Sequence, residues 1–235
     1  MRKTACALAI AAAVLFGCPK AQAPTPGEMA GQLRTDVPSY GALHRAASDG
    51  PARNVLFQHE SVLAELPLGA TQGQVHQRYG DPNRMQRTGD GEWWEFDEVT
   101  AIATPEPIES GRRKPPVPHN PIGTLRLLFQ PREQAVDAAA TDAAKPRPAI
   151  QSLVQIQAWA PGAQETASMI RLLDPVARVE RKYGAPPRKL GVGWGGAEVW
   201  LYPAANVAFV ITAPQAQDEP ELPPQRVVAG TIVGL

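Results

Sequence analysis

Two stretches of the chain repeat one pattern of apolar and polar positions. Residues 74–82 (QVHQRYGDP) and 178–186 (RVERKYGAP) share a valine, a tyrosine four positions later, a glycine and a proline. A valine and a tyrosine at that spacing fall on one face of a helix. The glycine permits the positive φ that ends a helix, and the proline prevents its continuation. Each stretch therefore predicts a short helix with one buried face.

The predicted helices have different start signals. Thr71 is a good N-cap residue for the first helix. For the second helix we expect Asp174 to be the N-cap and Pro175 to occupy the first helical position.

After each helix the pattern changes to the alternation of a strand. Arg84 to Arg87, Gly89-Asp90-Gly91 and Glu92 to Asp97 predict a hairpin with an Asp-Gly turn, and Gly195-Gly196 corresponds to that turn in the second stretch. Trp94 and Phe96, like Trp200 and Tyr202, should line the sheet face that covers the helix. The remaining predicted strands are 124–129, 150–159, 199–202, 206–211 and 227–233.

These elements predict an α+β fold made of two tandem repeats. Each repeat has one or two short helices packed on an antiparallel sheet of about four strands. The first repeat with its long loops is expected over residues 53–160 and the second over 161–235. One such unit alone buries too little apolar surface for comfortable stability, which favours two units packed side by side.

The N-terminus has the layout of an export signal. Two basic residues precede an uncharged apolar run, Ala5 to Gly17, which is shorter than the roughly 20 residues that span a bilayer. Two cleavage sites compete. Ala21-Gln22-Ala23 has the form A-x-A but is followed by Pro24, and the other site precedes Cys18.

Leu15-Phe16-Gly17-Cys18 resembles the lipobox of bacterial lipoproteins, with Phe16 as the departure from that pattern. The resemblance implies a signal peptide over residues 1–17 and acylation of Cys18. Because Pro19 is not aspartate, it also implies the periplasmic side of the outer membrane; a soluble periplasmic or extracellular protein is the alternative. Residues 18–52 are then expected to be lipid anchor and flexible tether, with a short helix possible over Tyr40 to Ser48.

Composition excludes several functions. The 23 basic and 23 acidic residues balance, so no strong field attracts nucleic acid. The two cysteines are Cys6, in the predicted signal, and Cys18. An acylated Cys18 leaves the folded part without a thiol, which excludes disulfides, cysteine–zinc sites and cysteine nucleophiles.

The repeated pattern resembles the SmpA/OmlA (BamE-like) family and the related β-lactamase-inhibitor-protein fold. In the first repeat the matching residues are Gly69, Thr71, Val75, Gly80, Pro82, Trp94 and Phe96. In the second they are Val179, Gly184, Pro186, Trp200 and Tyr202. The tandem arrangement is closer to the inhibitor protein and the lipobox is closer to BamE. The resemblance implies a helix-on-sheet fold and a role in binding proteins or supporting outer-membrane assembly.

The sequence contains no motif that is typical of a catalytic or cofactor-binding site. Gly191 to Gly196 satisfies G-x-G-x-x-G, but a strand pattern follows, so a glycine-rich hairpin is favoured over a dinucleotide loop. The four histidines lack metal-binding spacing, and no G-x-S-x-G elbow occurs. Glu92 and Glu198 recur beside the tryptophans and are better explained by hairpin polarity than by acid–base work. We therefore expect no enzyme, no cofactor and no metal.

Two features are candidates for binding. Arg112, Arg113 and Lys114, followed by three prolines, predict a basic extended loop that either docks a partner or is simply solvated. Trp93 and Trp94 are adjacent and point to opposite faces of a strand, which leaves Trp93 as a candidate for an exposed binding residue.

Two hypotheses of function follow. The first is a non-catalytic, lipid-anchored envelope module that binds or scaffolds another protein, with an outer-membrane assembly accessory as one form of it. The alternative is a periplasmic small-ligand binder or enzyme that uses the concave sheet between the repeats. A broad aromatic face favours the first, and a closed pocket with convergent polar groups favours the second.

Overall fold

The computed structural model describes residues 26–49, 59–97, 123–132, 150–160, 166–193, 196–212 and 225–235. The helices in these ranges are α1 (Pro26–Asp36), α2 (Tyr40–Ser48), α3 (Gln72–Tyr79) and α4 (Val176–Tyr183), with one 3-10 turn at Pro203–Ala205. The strands are β1 (Val62–Leu63), β2 (Leu66–Pro67), β3 (Arg84–Thr88), β4 (Gly91–Phe96), β5 (Thr124–Arg132), β6 (Ile150–Trp159), β7 (Arg188–Val192), β8 (Ala197–Tyr202), β9 (Val207–Ile211) and β10 (Val228–Val233).

Strands β3 to β10 form a single antiparallel sheet. Their order is β3-β4-β5-β6-β10-β9-β8-β7, so the two halves meet where β6 pairs with β10. β1 pairs separately with β2. The α+β class and the antiparallel sheet predicted from the sequence are confirmed. The buried residues of both halves form one hydrophobic core.

One face of the sheet, here called the convex face, carries the aromatic core. Helices α3 and α4 lie on it, as the valine and tyrosine spacing predicts, and Val75 and Val179 are fully buried. The ring of Tyr79 lies 5.8 Å from that of Phe96. Tyr183 is 5.1 Å from Tyr202. These contacts tie each helix to the hairpin that follows it.

The opposite face of the sheet is concave and holds α1. Arg34 reaches Glu95 on β4 at 3.2 Å, and Asp36 lies against Gly193 at the β7–β8 turn. A flat sheet would separate β4 from β7 by six strand spacings, about 29 Å. Side chains only two residues apart in one helix do not bridge that distance. The sheet therefore curves around α1, which packs on the central strands β6 and β10.

Helix α2 lies on the same concave face. Near its N-terminus Gly41 approaches Asp90 of the β3–β4 turn, and near its C-terminus the carbonyl of Ala46 accepts a 2.8 Å bond from Arg188 on β7. Leu43 is fully buried. The prediction of a flexible tether over residues 18–52 is therefore wrong for residues 26–49, which form packed helices. Helix α2 has the bounds that the sequence indicated, whereas α1 was not predicted.

The predicted N-cap is confirmed for α3 and is wrong for α4. Thr71 caps α3 in a capping box with Gln74. At α4 the prediction of an Asp174 cap is wrong: Pro175 is the N-cap, with no side-chain bond, and the helix begins at Val176. The extended backbone of Pro175 (ψ 142°) forms a bridge to Val227, and Asp174 accepts instead from the backbone N–H of Arg171.

The first hairpin differs from the predicted Asp-Gly turn by one residue. Thr88 pairs with Gly91, so that Gly89 and Asp90 form the turn. A Cβ on Gly91 would lie 2.4 Å from the carbonyl oxygen of Phe129, which fixes glycine at this position. Gly91 therefore serves close strand packing rather than the turn.

Gly80 and Gly184, which end α3 and α4, provide a test of backbone strain. Both have φ of 76° with ψ near the extended limit, a region that only glycine populates readily, and a Cβ at either meets no atom within 4 Å. We expect Gly80→Ala and Gly184→Ala each to lower the free energy of unfolding by about 1–3 kcal/mol. Urea denaturation measures this, with Gly191→Ala as the control.

Gly191 also has open space around its Cβ but lacks a positive φ. Gly191→Ala is therefore expected to leave stability nearly unchanged. Equal effects of all three substitutions are incompatible with strain at the two helix ends.

Candidate functional site

A row of side chains crosses the concave face from one edge of the sheet to the other. Each member is the cross-strand partner of the next, and such partners lie on the same face. In spatial order the row is Arg84, Glu95, Arg126, Gln157, Ile232, Ala208, Leu201 and Arg188. One half of the row is charged or polar and the other is apolar, apart from the arginine at its edge. We call the half formed by Arg84, Glu95, Arg126 and Gln157 the polar row.

Trp93 lies on this face beside the polar row. It is 8% exposed, so the expectation of an exposed tryptophan is wrong. The guanidinium of Arg126 stacks over its ring at 4.8 Å from the centroid. Trp93 stays outside the hydrophobic core cluster to which its neighbour Trp94 belongs. The indole therefore supports a cation instead of packing in the core.

Glu95 is the charge around which the polar row is organised. It is 9% exposed, and three arginines approach its carboxylate. The nitrogens of Arg34, Arg126 and Arg84 lie 3.2, 3.5 and 3.7 Å from its oxygens. Burial lowers the pKa of Arg126 below its ordinary value, while Glu95 raises it and the two other arginines lower it further. Three cations therefore surround this one buried carboxylate.

The C-terminal turn of α1 rests on the polar row through polar contacts. Arg34 pairs with Glu95 and also with Asp97 at 3.5 Å. Arg126 donates a 3.4 Å bond to the backbone carbonyl of Arg34, where the negative end of the helix dipole attracts a cation. Among residues 30–36 of α1, whose side chains the structure describes, the buried apolar residues are Ala30 and Leu33. The end of this helix is thus held by charged contacts together with Leu33.

Hydrogen bonding is incomplete on the part of the concave face that α1 and α2 cover. Four buried side-chain polar atoms in the described part of the chain lack a hydrogen-bond partner. Three of them belong to residues on the concave face: Oε1 of Gln157, Nε1 of Trp159 and Oε1 of Glu95, the last of which is ion-paired with Arg34 at 3.2 Å without hydrogen-bond geometry. Gln157 and Trp159 are at most 2% exposed. A buried polar group without a partner costs about 1–3 kcal/mol, so α1 and α2 leave part of this face unsatisfied.

A second buried carboxylate has a structural role. Glu60 is fully buried, and its side chain accepts bonds from the backbone N–H groups of Ala167 and Ser168 at 2.9 and 3.1 Å. The hydroxyl of Tyr183 donates to it at 2.7 Å, and burial raises the pKa of that hydroxyl well above its ordinary value. Glu60 therefore connects the start of the first predicted repeat to the loop and helix of the second.

The recurring glutamates hold tryptophans in place. Glu92 accepts a 2.7 Å bond from the indole of Trp94, and Glu198 accepts one of 2.8 Å from Trp200. The indole bond, with help from Arg87, keeps the pKa of Glu92 below its ordinary value despite burial. Burial raises the pKa of Glu198, but bonds from Trp200 and Arg226 outweigh it and the net shift is downward. Neither arrangement brings two carboxylates together for acid–base chemistry.

These lowered pKa values predict an acid-dependent stability. A carboxyl with a lower pKa in the folded state stabilises the fold above its unfolded pKa, near pH 4.3, and loses that contribution as pH falls through the folded value. We expect Glu92→Gln and Glu198→Gln each to reduce the loss of unfolding free energy between about pH 5 and pH 3. Urea denaturation at both pH values measures the change. Glu180→Gln, on the exposed side of α4, should retain the wild-type slope.

The other predicted site residues lie outside the described part of the chain. These are Cys18 and the basic loop residues Arg112, Arg113 and Lys114. Among the residues that are described, no group of three or more His, Cys, Asp or Glu side chains is placed to hold a metal ion. None of the helices in those ranges is long and apolar enough to cross a membrane.

Sequence reasoning missed the polar row itself. Glu95, Arg126 and Gln157 each lie between two apolar residues of a strand, which was the available signal, but the same strands also carry Glu92, Gln130 and Gln155. Arg34 was missed because the tether prediction covered α1. The G-x-G-x-x-G stretch begins in β7 and ends immediately before β8, and these strands pair as an antiparallel hairpin, so the preference for a hairpin over a dinucleotide loop is confirmed.

In comparisons with protein-family models, with curated proteins and with solved structures, the chain has no significant match.

Proposed function

We propose that this chain is a non-catalytic, lipid-anchored envelope module that binds a protein partner through the concave face of its sheet. A role as an accessory of outer-membrane assembly is the form of this function that the resemblance to SmpA/OmlA implies. The proposal combines the lipobox-like Leu15–Cys18 with the polar row. The observation that carries it is the difference in polarity between the two halves of the concave face.

The proposal treats the two helix-plus-sheet units as structural equivalents. The strand order supports this, since each half of the sheet runs from an edge hairpin through a third strand to a fourth strand at the centre. Gly69 donates to the carbonyl of Leu153 on β6 at 2.7 Å, and Leu173 donates to that of Val228 on β10 at 2.8 Å. Both donors have positive φ, 86° and 68°. Leucine in this conformation supports a backbone geometry shared with Gly69.

The equivalence allows each residue of the polar row to be compared with the residue at the corresponding position of the second unit. Corresponding positions are Glu95 and Leu201, Arg126 and Ala208, Gln157 and Ile232, and the edge residues Arg84 and Arg188. The second unit is built with apolar residues at the central three positions. Burying charged and polar groups is costly, and apolar replacements in cores are often neutral or stabilising. On this equivalence the fold accepts apolar side chains at these positions, so the charged and polar side chains of the first unit favour a role in recognition.

The anchor is tested by changing Cys18. In Cys18→Ala the acyl chains have no thiol to be attached to, so the exported chain is expected to move from the membrane fraction to the soluble fraction. Fractionation of cell envelopes and mass spectrometry of the native N-terminus measure this. A mature chain that begins at Pro24, or a variant that still partitions with membranes, contradicts acylation.

Partner binding is tested by photocrosslinking in intact envelopes. A benzoylphenylalanine is placed at Arg84, which is exposed at the edge of the polar row. The matched control is Arg181 on α4, an exposed arginine of the convex side. We expect a discrete adduct with another protein from position 84 and none from position 181. No adduct from position 84, or the same adduct from both positions, would contradict binding at the concave face.

A further inference from the structure

We infer that α1 is a strap, a helix of this chain that occupies a groove on its own concave face and can be displaced from it by a helix of another protein. The groove is formed by the polar row, Trp93 and the central strands. Its second occupant is a helical segment of a protein partner that carries an arginine and small apolar side chains, as α1 does. This inference rests on the proposed function, because it names the kind of partner that the concave face takes. It adds that the chain's own N-terminal helix competes for the same surface.

The contacts of α1 define what fits the groove. Arg34 supplies a cation to Glu95 and Asp97, and its carbonyl accepts from Arg126. Ala30 and Leu33 supply the apolar contact. A helix from another protein with these features makes the same interactions. It also displaces α1 without disturbing α3 and α4, which pack on the opposite face.

Two observations indicate that α1 is exchangeable. Its docked end is held by charged contacts and by Leu33, on a surface that leaves Oε1 of Gln157 and Nε1 of Trp159 without a hydrogen-bond partner. An occupant that satisfies those atoms binds more favourably than α1 does. The second observation is composition: over residues 30–36, where the side chains of α1 are described, the buried apolar residues are Ala30 and Leu33, whereas the hairpins of the core bury tryptophan and tyrosine. Segments with few buried apolar contacts open locally at low free-energy cost.

The structure offers a reversible lock for this strap. The Cβ of Asp36 lies 3.4 Å from the position of an ideal Cβ on Gly193, close to the separation of about 3.8 Å in disulfides. Asp36→Cys with Gly193→Cys, in the Cys18→Ala chain, therefore fastens α1 to the β7–β8 turn when oxidised and releases it when reduced. The chain is produced without residues 1–17, which contain Cys6.

The experiment uses a fluorescein-labelled peptide of residues 26–37 (PGEMAGQLRTDV) as the probe. Three full-length mature chains are compared, all with Cys18→Ala: Arg34→Glu, Arg45→Glu and the double-cysteine chain. Arg34→Glu repels Glu95 and Asp97 and frees the groove. Arg45→Glu makes the same charge change on an exposed position of α2. Fluorescence anisotropy gives the affinities, and amide hydrogen exchange reports the state of α1.

We expect the peptide to bind the Arg34→Glu chain at least about tenfold more tightly than the Arg45→Glu chain, because the apparent affinity follows the fraction of open groove. The reduced double-cysteine chain should bind more tightly than its oxidised form. In Arg34→Glu the amides of α1 should exchange faster while those of β9 stay protected.

Three results would overturn the inference. They are no peptide binding to Arg34→Glu, equal binding to the oxidised and reduced double-cysteine chain, and loss of protection in β9 together with α1. The last result makes α1 part of the cooperative core. The peptide experiment involves no envelope protein, so its failure is distinguishable from a failure of the crosslinking that tests the proposed function.

Discussion

Replacing Glu60 with alanine is expected to lower the free energy of unfolding by about 3 kcal/mol or more. The substitution removes the acceptor of three hydrogen bonds, which come from the backbone N–H groups of Ala167 and Ser168 and from the hydroxyl of Tyr183. Losing the partner of a hydrogen bond inside a protein costs about 1–3 kcal/mol. Urea denaturation measures the change at neutral pH.

Two further variants separate lost bonds from lost packing around Glu60. Tyr183→Phe removes one donor and should cost less than Glu60→Ala. In the double variant the effects should fall short of additive by about 0.5–3 kcal/mol, because both single changes break the same bond. A Glu60→Ala chain as stable as wild type would show that this carboxylate does not join the two halves of the fold.

Replacing Trp200 or Trp94 with alanine is expected to cost about 3–5 kcal/mol in either case. Both indoles are nearly fully buried on the convex face and donate to a glutamate on their own strand. A loss of that size removes much of the 5–15 kcal/mol by which domains of this kind are stable. Thermal and urea denaturation of the two variants should therefore give comparable losses.

The matched control for the tryptophans is Met85→Ala. Met85 pairs with Trp94 across β3 and β4 but is 63% exposed, so its truncation should change stability by no more than about 0.5 kcal/mol. If only one tryptophan tolerates alanine, the two units do not use their corresponding positions in the same way. That outcome contradicts the equivalence on which the interpretation of the polar row depends.

Local signals predicted the convex side of the molecule well. Val75 and Tyr79, like Val179 and Tyr183, have helical spacing and a glycine stop, and both pairs are buried. Strand β6 begins and ends where the alternation of residues 150–159 indicated. These features depend on neighbours within a few residues of one another, which a single sequence displays directly.

The concave side was harder to predict because it depends on contacts between distant parts of the chain. Helix α1 has few apolar residues, and nothing local distinguishes it from a solvated segment. Trp93 is buried by residues that are distant in sequence, such as Arg126 on β5, whose guanidinium lies over its ring. Pro175 seemed a favourable first helical residue, but its bridge to Val227, from the far end of the chain, holds it extended.

The polar row had only a weak local signal in the sequence. Arg126 shares β5 with Gln130, and Gln157 shares β6 with Gln155, so neither stands out alone. On the proposed equivalence of the two units, their positions correspond to Ala208 and Ile232. The register of the sheet was needed to make that alignment residue by residue.

The most direct test of binding at the concave face is the yield of the position-84 adduct in intact envelopes when Arg126 is changed to glutamine. Arg126→Gln removes the cation over Trp93 and leaves Arg34 to pair with Glu95. We predict that the adduct falls at least about tenfold, the effect of roughly 1.4 kcal/mol, while membrane partition and the melting temperature are retained. An undiminished adduct from a folded Arg126→Gln chain contradicts recognition through the polar row.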